Sequence, residues 1–181
     1  TENDGAVVVD SGLTVTDLDD TNLTSATIQV TGNYVNGEDV LAFTNQLGIT
    51  GSFNATNGTL TLTGTTTVAN YQTALQSITY TNTSDDPSNA SRTVTFIATD
   101  ATGGSSIAET RDIAITPIND IPTLTTTVTA LAYTENDGAV TIDTGLTVTD
   151  LDDTNLVSAT IQVTGNYVNG EDVLAFTNQL G

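Results

Sequence analysis

The sequence predicts an all-β protein made of antiparallel β-sandwich repeats, with one short crossing helix in each repeat. Apolar residues alternate with Thr at period two in several short runs, and turn-forming pairs separate these runs. A 48-residue segment also occurs twice, 133 residues apart. The repeat unit is therefore about as long as one sandwich domain.

The predicted strands share one pattern, a large apolar residue at every second position with polar residues, mostly Thr, between. This pattern fits strands that place one face on a core and the other in water. In chain order the strands are predicted around residues 13–15, 26–30, 41–43, 60–62, 78–80, 94–98 and 113–115, and in the run from 122 onward. Turn signals separate them at 36–37, 57–58, 86–87 and 103–104.

One segment departs from the strand period. In TVANYQTALQS, Val68, Tyr71 and Leu75 lie at positions i, i+3 and i+7, which is the spacing of one helix face. The spacing predicts a short helix over 68–75 that crosses between the sheets with its apolar stripe in the core. We expect Tyr71 and Tyr80 to be core or cross-strand aromatics.

The repeated segment sets the domain organisation. Residues 1–48 and 134–181 differ only at Val8/Thr141, Val9/Ile142, Ser11/Thr144 and Thr24/Val157. Such near-identity indicates recent duplication in a long tandem array. The boundary is predicted between Pro117 and Pro122, because prolines stiffen a linker. We therefore predict a repeat lacking its first strand over 1–121 and the N-terminal part of the next repeat over 122–181.

The charge balance excludes several function classes. The chain has 22 acidic residues, two arginines and a net charge of −20, so it should repel nucleic acid and attract cations. The absence of Cys and His excludes disulfides, His-based triads and ordinary zinc sites. No apolar run approaches the roughly 20 residues of a membrane helix, so no membrane insertion is expected. We expect Arg92 and Arg111 to form surface ion pairs, and Asp39 to lie on a hairpin rim.

The stretch VTDLDDTN, at 15–22 and again at 148–155, carries the chemistry that composition favours. It places three aspartates in four positions, and Ca²⁺ takes six to eight oxygen ligands. It is not an EF-hand loop, because, counted from Asp17 as the first loop position, the sixth position is Asn22 rather than Gly and the twelfth is Ile28 rather than Glu. From the residues alone, a solvated acidic turn and a cation site both stay open.

Four motifs together resemble the cadherin-like tandem repeats of giant bacterial surface adhesins, of the RTX type secreted by type I systems. YTENDG (133–138) resembles the glutamate–asparagine motif, and DLDDTN resembles the DxD calcium loop. ATDATGG (98–104) resembles the AxDxG motif, and INDIP (118–122) resembles the acidic inter-repeat linker. They occur in the family's order. The family's DRE motif is missing, and SDDPSN (84–89) occupies about its place.

This resemblance implies Ca²⁺ at the junction between successive repeats. The ligands it implies come from the first unit, the linker and the second unit, in that order: Glu2, Asp85 and Asp86; Asn119 and Asp120; Asp150, Asp152 and Asp153. It also implies that four further aspartates face a preceding repeat: Asp17, Asp19, Asp20 and Asp100.

The resemblance further implies a structural spacer of an extended extracellular or cell-surface adhesin, with neighbouring repeats of the same protein as its partners. An alternative is a filament subunit assembled by strand complementation, because the partial repeat 134–181 would expose strand edges. A carbohydrate- or protein-binding module is a further alternative. The chain has no Trp and only 5% aromatic residues, so it is poorly supplied with rings on which sugars could stack. An enzyme is the weakest reading, because the acids cluster at turns of near-identical tandem copies, and we expect no catalytic residues.

Overall fold

The computed structural model describes residues 1–2 and 4–178 and confirms the all-β prediction. One helix and ten strands are present in this part of the chain. The elements are β1 (Val7–Val8), β2 (Asn22–Gly32), β3 (Asp39–Ala42), β4 (Thr50–Asn54), β5 (Thr59–Thr67), α1 (Val68–Gln76), β6 (Thr79–Asn82), β7 (Arg92–Asp100), β8 (Glu109–Ile113), β9 (Thr123–Thr125) and β10 (Thr147–Thr149).

Two antiparallel sheets enclose the core of the first unit. The larger has the strand order β4-β5-β2-β7-β8, and the smaller has the order β1-β6-β3. Ile28 of the central strand β2 is in register with Leu60 on β5 and with Phe96 on β7. These residues pack against Leu41 and Tyr80 of the smaller sheet, and all five are buried. The period-two pattern therefore points its apolar face inward.

Helix α1 connects the two sheets, as predicted, and extends one residue beyond the predicted range. Thr67 caps its N-terminus by accepting a hydrogen bond from the amide of Asn70 at 3.2 Å. Tyr71 and Leu75 are buried, and the Tyr71 hydroxyl donates to the carbonyl of Gly64 at 2.7 Å. At nine residues, this one helix among the described residues is neither long nor apolar enough to cross a membrane.

The predicted strand at 13–15 is absent from the first copy. In the first copy, side chains of α1 form the backbone hydrogen bonds that a neighbouring strand would otherwise provide. Gln72 accepts from the amide of Val15 at 3.0 Å, and Gln76 donates to the carbonyl of Leu13 at 2.8 Å. The same letters form β10 in the second copy, where they pair with β9. The sequence is thus a strand only where another strand lies beside it.

The surface prediction for Arg92 and Asp39 is wrong. Both side chains are buried, and the Arg92 Nε donates to both carboxylate oxygens of Asp39 at 3.1 and 3.0 Å. Arg111 was predicted to form a surface ion pair, and only its exposure agrees with that prediction. Tyr71 and Tyr80 are core residues, as predicted. The division of the chain at 121/122 stays a prediction.

Candidate metal centre

Acidic side chains converge at three places in the described part of the chain. In each place, one carboxylate oxygen per residue lies within 4.8 Å of those of the others. The groups are Glu2, Asp85 and Asp120; Asp17, Asp20 and Asp100; and Asp150, Asp152 and Asp153. Every member is a residue that the sequence singled out.

The first group joins the beginning of the first unit to the linker. Glu2 is buried, and its carboxylate accepts a hydrogen bond from the amide of Ile118 at 2.8 Å. Its own amide donates to the carbonyl of Thr116 at 3.1 Å. Asp85 reaches the group from the loop between β6 and β7. The backbone of 116–118 is therefore fixed beside Glu2, which places Asp120 next to that carboxylate.

The linker also contacts the second copy of the acidic stretch. The amide of Asp120 donates to a carboxylate oxygen of Asp152 at 3.0 Å. Asp150 holds this loop by accepting hydrogen bonds from the amides of Asp152 and Asp153 at 3.4 and 3.2 Å. Two groups predicted to share one junction, the linker and the second acidic stretch, are thus in direct contact.

Two carboxylate oxygens at this junction have no hydrogen-bond donor among the described residues. They are the Oδ2 of Asp120 and the Oδ1 of Asp152, and both are inaccessible to solvent. A buried carboxylate oxygen without a donor is costly unless a cation or another donor faces it. These two atoms are therefore the strongest geometric indication of a cation at the junction.

Electrostatics connects the first and third groups. Burial raises the pKa of Asp120, and the negative charges of Glu2, Asp85 and Asp150 raise it further. The amide of Asp120 acts to lower the pKa of Asp152, but burial and the neighbouring Asp150 outweigh it, and that pKa is also raised. Both pKa values are raised first by burial and then by neighbouring carboxylates, in a site without a basic side chain.

The second group lies wholly within the first unit. Asp17 accepts from the amides of Asp19 and Asp20 at 3.2 and 3.0 Å, and the Thr102 hydroxyl donates to Asp20 at 3.2 Å and to Asp100 at 2.9 Å. The amides of Asp20 and Asp19 hold the pKa of Asp17 below its usual value. This group therefore resembles an ordered acidic turn with internal donors more closely than the junction does.

The hydrogen-bond pattern of Asp100 completes that description. It accepts from the amides of Thr102 and Gly104 at 2.7 and 2.9 Å. Burial acts to raise the pKa of Asp100, but the hydrogen bonds from Gly104 and Thr102 outweigh it and the pKa is lowered. Thr102, which ties Asp100 to Asp20, was missed in the sequence, and only its place within ATDATGG could have signalled it.

Two predicted acidic ligands lie outside these groups, which contain only acidic residues; the remaining predicted ligand is the amide Asn119. Asp19 and Asp86 are exposed, and the Asp86 amide donates to the Ser84 hydroxyl at 3.2 Å. Asn119 is also exposed, and its side-chain amide donates to the carbonyl of Asp120. The sequence motifs therefore located the clusters but did not separate the members that converge from their neighbours.

The donor set at the junction suits a hard cation. All six side chains of the two groups that meet around Asp120 and Asp152 are carboxylates, and oxygen-only coordination is what Ca²⁺ prefers. Soft thiolate or imidazole ligands are absent from the entire sequence. The residues present therefore fit Ca²⁺ and do not fit zinc or copper.

Comparison with known proteins gives one partial similarity. The chain is 38% identical over 95 residues to halomucin from Haloquadratum walsbyi (strain DSM 16790 / HBSQ001). The aligned region covers 50% of this chain but only 1% of halomucin, so the chain spans a very small part of that relative. No family model matches the sequence, and no solved structure is significantly similar to it.

Proposed function

We propose that the chain is a structural spacer in an extended extracellular or cell-surface adhesin, and that Ca²⁺ at the repeat junction fixes its linker. The convergence of the linker with both units carries this proposal: Asp120 lies beside Glu2 and Asp85 while its amide binds Asp152. The near-identical repeat and the similarity to a short part of a much longer protein, halomucin, support it.

The charges give the ion a mechanical role. Without a cation, the carboxylates at the junction repel one another and oppose the arrangement in which linker and units meet. A divalent ion would turn that repulsion into attraction and restrict the linker. Extracellular modules typically bind Ca²⁺ at roughly 10⁻⁴–10⁻³ M, and an ion at 100 times its Kd stabilises the bound state by about 2.7 kcal/mol.

In this role, the partners of the chain are neighbouring repeats of the same protein, and none of its residues is catalytic. The net charge of −20 argues against nucleic acid as a partner, because phosphate binding needs Lys and Arg. Apart from Asp100 at the end of β7, the acidic residues of the three groups lie outside the helix and strands, and backbone amides of the acidic stretches hold their carboxylates, which is a scaffold arrangement. Catalysis would also need a substrate cavity beside a tuned acid and base.

Calcium titration of the 181-residue chain tests the proposal. We expect heat of binding by calorimetry, and a smaller radius of gyration in Ca²⁺ than in EDTA at equal ionic strength. Asp120→Asn and Asp152→Asn should weaken binding at the junction by about tenfold or more, because each removes a charged ligand. Glu109→Gln, which removes one exposed charge on β8, is the matched control. Identical scattering and melting in Ca²⁺ and in EDTA would exclude the proposal.

A filament assembled by strand complementation is the second candidate. One observation favours it: large apolar residues of 134–178, such as Phe176 and Val173, are exposed to solvent, and exposed apolar surface favours association. A second chain could cover them by adding strands. Light scattering over a wide range of protein concentration distinguishes the two, because a monomer at every concentration rules out spontaneous assembly of this chain.

A further inference from the structure

The two near-identical copies have opposite environments in one chain. Ile28 is 0% exposed and its counterpart Ile161 is 67% exposed; Leu41 is 1% exposed and its counterpart Leu174 is 42% exposed. The residues that cover the first copy lie in 49–116, here called the acceptor body. Strand β2 pairs with β5 and β7 of this body, and β3 pairs with β6.

The second copy carries almost every residue that the acceptor body contacts. Of the four differences, those at Val8 and Ser11 fall on exposed positions of the first copy. Val9, which is buried, becomes Ile142, a change of one methylene. Thr24 becomes Val157, which loses the hydrogen bond from the Thr24 hydroxyl to the carbonyl of Asp100 at 2.9 Å. The second copy therefore fits the same surface with small local changes.

The buried carboxylate of the first copy, Asp39, also has a counterpart in the second copy. Arg92 is fully buried in the acceptor body and pairs with Asp39 of the first copy. The counterpart Asp172 already has the same local geometry: it accepts from the amide of Val168 at 2.7 Å, as Asp39 accepts from the amide of Val35 at 2.7 Å. The second copy thus presents a prebuilt carboxylate for the one buried arginine.

The connectivity permits the exchange. The amide of Glu2 donates to the carbonyl of Thr116 at 3.1 Å, so the first copy begins beside the end of the acceptor body. If Glu135 took the place of Glu2, residues 117–134 would close as a loop between neighbouring points. The entropic cost of closing such a loop grows only slowly with its length.

We propose that the acceptor body 49–116 binds either flanking copy, so that the chain exchanges between two arrangements. In the arrangement described here, residues 1–48 complete the sandwich. In the second, residues 134–178 replace them and 1–48 is released.

Disulfide trapping tests the exchange, because the chain has no native Cys. The hydroxyls of Thr31 and Thr95 are 2.7 Å apart on an exposed face, so Thr31→Cys with Thr95→Cys reports the described arrangement. Thr164 is the counterpart of Thr31, so Thr95→Cys with Thr164→Cys reports the second arrangement. Thr95→Cys with Thr129→Cys measures random collision, because 122–133 has no counterpart in the first copy.

We expect the pair at 95 and 164 to cross-link within monomers above the collision control. Ile28→Ala should raise this yield by about tenfold or more, because loss of a buried side chain weakens the first copy alone. The matched variant Ile161→Ala should reduce it to the control level. Three outcomes would overturn the proposal: no yield above the control in either background, cross-links only between chains, or an Ile28→Ala chain that unfolds as completely as Ile28→Ala with Ile161→Ala.

Discussion

At the scale of single residues, the buried polar cluster around Asp39 is what the sequence did not predict. The Tyr80 hydroxyl and the Asn82 side-chain amide donate to the Asp39 Oδ1 at 2.5 and 2.8 Å, beside the Arg92 pair. Burial raises the pKa of Tyr80, as do its hydrogen bond to Asp39 and the charge of that carboxylate. Asp39 is distant in sequence from both Tyr80 and Arg92, so the cluster is evident only once β3 pairs with β6 and the sheet that contains Arg92 packs against them.

Tyr80→Phe tests the contribution of this cluster to stability. The ring remains and only the donor to a buried charged acceptor is lost, so we expect the free energy of unfolding to fall by about 1.5–3 kcal/mol. Urea denaturation followed by circular dichroism measures the change. Tyr133→Phe, at an exposed tyrosine, should alter stability by less than about 0.5 kcal/mol. Equal effects at the two positions would contradict a stabilising role for the Asp39 cluster.

At the scale of elements, the period-two pattern and the turn-forming residues were sufficient to predict most strands of the first unit. The strong alternation over 94–98 and 26–30 became β7 and β2, and the i, i+3, i+7 spacing became α1. The weak point was 13–15, where the pattern was right and the strand is absent. Hydrophobic period predicts which face is buried, but a strand also needs a neighbour, and the glutamines of α1 took that place.

Strand β5 needs a glycine at position 64, and the hydrophobic pattern of the sequence cannot reveal this requirement. The φ of Gly64 is 142°, and a Cβ there would overlap the carbonyl oxygen of Gly48. Gly64→Ala should therefore lower the free energy of unfolding by about 1–3 kcal/mol from the backbone conformation alone. Thermal unfolding of that variant beside Gly12→Ala, whose Cβ would meet only ordinary contacts, measures the effect. If both variants melt alike, close approach at Gly64 does not limit the fold.

At the scale of the whole molecule, the candidate junction could be predicted in part. Motif order gave Glu2, Asp85, Asp120 and the second acidic stretch as one neighbourhood, and these residues do converge. The same reasoning placed Asp17, Asp20 and Asp100 against a preceding repeat; these three carboxylates lie together, and their contact with another repeat stays a prediction. Motifs specify which loops meet, but the choice among adjacent carboxylates depends on backbone amides that the sequence does not display.

The pH response of the junction gives a test that separates repulsion from ion binding. Without a divalent ion, the pKa of Asp120 is raised above the usual 3.8 by burial and by nearby carboxylates. A carboxyl with a raised pKa binds its proton more readily in the folded state, so acidification toward that pKa should relieve repulsion and stabilise the junction. Bound Ca²⁺ should reverse the direction, because protons then compete with the ion.

Carboxyl-detected NMR titration measures both halves of that prediction. In EDTA, we expect Asp120 to titrate above 3.8, and in saturating Ca²⁺ we expect its pKa to fall below that value, since a bound cation favours the charged form. Asp143 is the internal control: hydrogen bonds from Thr127 hold its pKa low, and calcium should not change it. An Asp120 that titrates at the same pH in EDTA and in Ca²⁺ would show that the ion does not bind at this junction.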